Sequence, residues 1–187
     1  MLNQRAHYSS LLARLNKLTP NAFTLVELLI YVAIIGGVAS TFILYTLSIA
    51  QSRAKTYVAE EVQSNTSMAI ELIGQRIRTA SGVNLGDSVF DVHPGRLSLT
   101  MLDAQKNPTV IDIDANGALQ IKEGLAGSYV PITSSKVQAT NLVFTNLSGG
   151  SSRENIRVDI SVAYNNSSGD VEYNYSQSTH TAVSVSQ

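Results

Sequence analysis

Between Phe23 and Ala50 the chain stays apolar for about 28 residues, more than the roughly 20 an α-helix needs to cross a bilayer, and Glu27 is its only charge. A segment of that length and composition is a membrane helix. The placement of the carboxylate narrows the field further. An acidic side chain inside a spanning segment costs about 2.5–3.5 kcal/mol on insertion scales, so Glu27, one turn from the start of the run, requires a cation.

The preceding residues suggest a source for it. Residues 1–22 carry Arg5, Arg14 and Lys17 with no acidic residue, and break at Thr19-Pro20-Asn21-Ala22. Cleavage between Ala22 and Phe23 would start the helix with an α-amino group, of pKa about 7.7 in water. That amine would lie four residues before Glu27 and on the same helix face. It could equally meet Glu27 of a neighbouring copy. Two plainer readings compete. Ser48-Ile49-Ala50 has the small-x-small form of a secretory cleavage site, but the apolar run is about twice the usual 7–15 residues and contains an acid. An uncleaved anchor is the other. Three basic residues before the run, against Arg53 and Lys55 offset by Glu60 and Glu61 after it, orient the N-terminus to the cytoplasm and the rest of the chain outside.

Ala22-Phe23-Thr24-Leu25-Val26-Glu27-Leu28 resembles the processing site of type IV prepilins and pseudopilins. The resemblance implies cleavage before Phe23 by a prepilin peptidase, N-methylation of Phe23, and Glu27 as the assembly carboxylate. It also implies partners: other pilins or pseudopilins met through the helix, an inner-membrane assembly platform, and the lipid bilayer. At one position the chain departs from the family pattern, which has Gly where Ala22 stands. Residues 70–83, Ile-Glu-Leu-Ile-Gly-Gln-Arg-Ile-Arg-Thr-Ala-Ser-Gly-Val, resemble the helix end of minor pilins and of J-type pseudopilins.

Beyond the membrane run, Val58, Val62, Ala69, Leu72 or Ile73, and Ile77 recur close to the i, i+3, i+4, i+7 spacing of an amphipathic helix. The helix is therefore expected to continue to about Thr79 and to stop at Ser81-Gly82, Gly being common just past a helix end. Gly36-Gly37 interrupts the apolar half; small residues there allow close helix contact in lipid or mark a point of unwinding. The rest reads as β. Ile156, Val158, Ile160, Val162 and Tyr164 alternate with polar or small residues, and Leu97 to Met101 repeats the pattern. Val110 to Ile113, Leu119 to Ile121 and Leu142 to Phe144 supply further strands. Val171, Tyr173 and Tyr175 alternate again after the turn at residues 165–170, which predicts a closing antiparallel hairpin.

The expected organisation is thus a leader (1–22), a membrane and assembly half-helix (23–50), an amphipathic half-helix (51–80) and a β-rich head (81–187). The fold class is α+β, a long N-terminal helix packed on an antiparallel sheet, and the resemblance makes it pilin-like.

In the head, Asp112, Asp114, Asn116 and Glu123 match the spacing of a calcium loop, in which alternate side chains converge oxygens on one ion. The flanking residues alternate as strands, though, and Asn116-Gly117 is also a favoured two-residue hairpin turn. Both readings stand. A cysteine-free chain forms neither disulfides nor thiolate metal sites. With 14% charged residues and a net charge of −1, the head lacks the clustered basic face that nucleic acid requires. His7, His93 and His180 stand apart, without ligand spacing, and no nucleophile elbow or phosphate loop is present. The expected function is that of a non-enzymatic structural subunit, a minor pilin or pseudopilin processed, extracted from the inner membrane and built into, or priming, a filament. The alternative is a membrane-tethered extracytoplasmic binding protein or exoenzyme whose helix is only an anchor.

Overall fold

The structure, a computed structural model, describes residues 23–149 and 154–186. The leader therefore lies outside the described residues, as do Gly150 and Ser151. One long helix, α1 (Leu25–Thr79), runs through two compact units, one ending at Ser48 and the other beginning at Ile49.

In the first unit α1 is apolar on every side, and its side chains are exposed. It is long and apolar enough to cross a membrane. Three of its hydroxyls are satisfied within the helix: Ser40 donates to the Gly36 carbonyl at 2.8 Å, Thr41 to that of Val38 at 2.8 Å and Thr46 to that of Phe42 at 2.9 Å. Such back-bonding suits a lipid environment, where no water is at hand. The helix passes through Gly36 and Gly37 unbroken.

The second unit is α+β, with the outer part of α1 packed on antiparallel sheets. Where one sheet was expected there are two. The first has five strands in sequential order: β1 (Ala80–Val83), β2 (Leu97–Met101), β3 (Thr109–Ile113), β4 (Leu119–Glu123) and β5 (Tyr129–Pro131). The second joins β6 (Val137–Asn146), β7 (Asn155–Tyr164) and β8 (Ser176–Ser184). Val58, Val62, Ala69, Ile73 and Ile77 of α1 are fully buried, with Leu97, Leu99, Ile111 and Leu119 from the first sheet and Leu142, Phe144, Ile156 and Val158 from the second. Of the expected pair, Ile73 takes the core position and Leu72 is half-buried.

The helix ends at Thr79 as expected, but not through a glycine cap. Thr79 passes directly into β1, whose Ala80 pairs with Met101 and Gly82 with Thr100. Gly82 is thus a strand residue and not a helix cap. A sheet edge that pairs at once with the emerging backbone satisfies it without a left-handed cap.

The last hairpin is also corrected. β7 and β8 do pair antiparallel, over nine consecutive positions from Asn155↔Ser184 to Ala163↔Ser176. Val171 and Tyr173, however, belong to a 3₁₀ turn (Val171–Tyr173) and Tyr175 to the connection after it. The strand is the more polar segment that follows. Only its Val183 is buried, so the register is set by pairing with β7 and not by an apolar stripe of its own.

The two sheets are tied by backbone contacts. Asp91 and Gly95 of the β1–β2 connection donate to the carbonyls of Phe144 and Leu142 at 2.9 and 2.8 Å, and Ala139 donates to the Gly117 carbonyl at 2.7 Å. A Cβ at Gly95 would stand 3.0 Å from the Leu142 carbonyl oxygen and press on β6.

Candidate functional site

At the start of α1, Ala22 and the bond expected to be cut lie outside the described residues, while Phe23 and Glu27 lie within them. The Thr24 hydroxyl accepts the Glu27 backbone N–H at 3.2 Å, an N-cap on the Thr-x-x-Glu spacing of a capping box. A carboxylate in the first turn also suits the positive end of the helix dipole. On the side-chain surface, the Phe23 ring meets Tyr31 edge-on, 5.9 Å between centroids. The Tyr31 hydroxyl stands 3.5 Å from Glu27 Oε1, the outer limit of a hydrogen bond. Phe23, Glu27 and Tyr31, spaced by four, therefore share one face, with the acid beside the paired aromatic rings. Among the described residues no cation meets Glu27. Thr24 and Tyr31 escaped the sequence reading, although the capping-box spacing and the i+4 position were there to find them.

The four residues with calcium-loop spacing do not converge. β3 and β4 reverse through Asp114 to Ala118, closed by the Asp114 N–H on the Ala118 carbonyl at 2.9 Å and the Gly117 N–H on the Asp114 carbonyl at 3.1 Å. Gly117 alone takes positive φ, +82°, so this is a longer reversal than the two-residue turn expected of Asn116-Gly117. Asp114 Oδ1 is used within the loop, accepting the N–H groups of Asn116 and Ala118 at 2.9 and 2.7 Å. Asp112 accepts from Gln120 Nε2 at 2.9 Å and from the Tyr129 hydroxyl at 3.2 Å. Partial burial, and then the Asp112 carboxylate, raise the Tyr129 pKa. Glu123 pairs in register with Thr109, at the far end of the ladder, and contacts Arg76 of α1 at 2.8 Å. Among the described residues no group of three or more His, Cys, Asp or Glu side chains is placed to hold a metal ion.

A polar cluster that the sequence did not reveal joins α1 to the β5–β6 connection. Asn65, only 5% exposed, accepts the Ser134 N–H at 2.9 Å and donates to the Glu61 carbonyl at 2.8 Å. Ser134 donates its hydroxyl to Glu61 Oε1 at 2.9 Å. Lys136 stands 3.6 Å from Glu61 Oε2 and donates to the Tyr57 hydroxyl. The Ser134 hydroxyl, with help from Asn65 and Lys136, holds the Glu61 carboxyl below its ordinary pKa despite an opposing contribution from burial. The Tyr57 hydroxyl and Glu61 raise Lys136. The cluster clamps α1 to the β5–β6 connection. Of the histidines, His93 accepts the Leu142 N–H at 3.0 Å, a structural role, and His180 lies exposed on β8.

Comparison with known protein families, characterised proteins and solved structures returns no match to this chain.

Proposed function

We propose that the chain is a minor type IV pilin or pseudopilin, a structural subunit cleaved between Ala22 and Phe23, methylated on Phe23, and assembled through its N-terminal helix into a pilus or pseudopilus or used to prime one. The observation that carries this reading is Ala22-Phe23-Thr24-Leu25-Val26-Glu27 at the head of a membrane-length apolar helix. An isolated anchor gains nothing from an acid at that depth. In a bundle of such helices the acid can neutralise the amine that cleavage creates, on its own chain or a neighbour's. The work of the subunit is packing, through α1.

The partners on this reading are the prepilin peptidase, other pilins or pseudopilins and the assembly platform of the inner membrane. The head faces outward, and no reaction is assigned to it. Mass spectrometry of the mature N-terminus tests the proposal. A chain beginning at N-methylated Phe23 supports it; an intact leader, or a start at Gln51, overturns it in favour of an anchor or a secreted protein.

A further inference from the structure

The connection between β7 and β8 is built around two tyrosines. Tyr164 and Tyr173 stack with centroids 6.0 Å apart and planes at 24°. With Asn165, Asn166, Ser168 and Asp170 they line a cleft of about 380 Å³, within the ~300–1,000 Å³ range of small-molecule sites. Tyr164 ends β7 and packs against the core, which fixes the platform. Asn166 fixes the opposite wall. Its side-chain oxygen accepts the Ser168 hydroxyl at 3.0 Å and the Gly169 N–H at 2.9 Å, while its Nδ2 donates to the Asp170 carbonyl at 2.8 Å. A wall held this way loses little entropy when it binds.

Several groups at the cleft are left without partners. The Asp170 carboxylate and the hydroxyls of Tyr164 and Tyr173 make no hydrogen bond among the described residues, whereas Asn166 and Ser168 are consumed by the loop itself. Among the described residues no Lys or Arg lines the cleft. Lys136, whose backbone carbonyl accepts the Asn165 N–H at 2.7 Å, has its ammonium turned to Glu61 and Tyr57, and Arg157 is paired with Asp159. Phosphates, sulfates, nucleic acids and acidic sugars therefore find an anion where they need a cation. A purely apolar ligand would leave Asp170 desolvated and unpaired. What fits is a molecule with an apolar face for an aromatic ring and hydroxyls around its edge to donate to a carboxylate and bond with phenols. A neutral pyranose has both.

We propose that this cleft binds one neutral sugar ring of a glycan, stacked on the tyrosine platform with its hydroxyls on Asp170 and the phenols. The site is independent of the filament reading, since it is formed by the end of β7 and the β7–β8 connection alone.

The test uses the full chain in lipid nanodiscs, which avoids sugar-headed detergents. It is applied to an array of neutral hexose and N-acetylhexosamine oligosaccharides with sialylated and sulfated counterparts. Retention on neutral members and not on the acidic ones is expected. Tyr173→Ala should weaken the best-retained glycan about tenfold or more, Asp170→Ala should weaken it several-fold, and Tyr173→Phe should keep most of the binding. Thermal melts control for folding, and Asp170, being exposed, can be read even if Tyr173→Ala unfolds. The proposal is overturned if no neutral glycan is retained, if acidic glycans bind better, or if folded Tyr173→Ala and Asp170→Ala both bind like the parent.

Discussion

Arg76 of α1 and Glu123 of β4 stand 2.8 Å apart with side chains 25% and 31% exposed, joining the helix to the first sheet. The contact is a charge pairing more than an aligned hydrogen bond, since Arg76 Nε and Glu123 Oε1 lack well-directed partners. It also settles where the last residue of the calcium-like spacing goes. Partly exposed pairs contribute at most about 1 kcal/mol, so Glu123→Gln should destabilise the protein by no more than that in a thermal melt. Calcium at millimolar concentration should leave the melting temperature unchanged. An upward shift that Asp114→Asn abolishes would contradict this geometry.

The Glu61 clamp predicts an acid sensitivity. Its folded pKa lies below the ordinary glutamate value, about 4.3, so its stabilisation is complete above that pH and is lost as pH falls through the lower folded value. Ser134→Ala removes the largest cause of the depression. Melts from pH 7 down to pH 3 should show the variant less stable at neutral pH and converging on the parent at the acid end. Parallel curves would mean that the hydroxyl does not act through the carboxylate.

In the core, Ile73→Ala removes a fully buried side chain from the helix–sheet interface. A loss of about 2–5 kcal/mol is expected. Leu72→Ala, half-buried beside it, should cost clearly less. The two melts together check the helical phase.

Processing should depend on the size of the residue before the cut. Ala22→Gly is expected to be cleaved as well as the parent or better, and Ala22→Leu to accumulate as precursor on an immunoblot. Normal maturation of Ala22→Leu would place the cleavage site elsewhere.

Glu27 separates a filament subunit from a tether. In an anchor, Glu27→Leu removes an intramembrane charge and leaves insertion intact or improved. In a filament it leaves the Phe23 amine unpaired, a loss of about 3–5 kcal/mol for a broken buried pair, less whatever deprotonation of the amine relieves. The expected outcome is a protein that is inserted and cleaved but depleted from sheared filaments. It should also fail to rescue a strain lacking the gene. Full incorporation and rescue would remove the assembly role from Glu27.

Much of this architecture could be read from residue order, because its causes are local and periodic. An apolar stretch of spanning length is a helix in lipid whatever surrounds it. The spacing of Val58, Val62, Ala69 and Ile77 marked the buried helix face, and the alternation of Ile156 to Val162 marked β7, each by its own repeat. The failures came where pairing partners distant in sequence decide. Val171, Tyr173 and Tyr175 have a strand's spacing, yet Ser176–Ser184 is the strand, because a nine-position ladder against β7 outweighs the β-propensity of three residues. Gly82 has a cap's identity but pairs with Thr100. Asp112, Asp114, Asn116 and Glu123 have a metal loop's spacing, but the β3–β4 ladder separates the first and last, and Arg76, a helix residue 47 positions before Glu123, holds the acid. The order of residues alone determined the long apolar helix, the buried stripe and most strands. The division into two sheets, the Glu61 clamp and the tyrosine cleft were decided by the tertiary structure, since each depends on which backbone hydrogen bonds are satisfied by segments far apart in the chain.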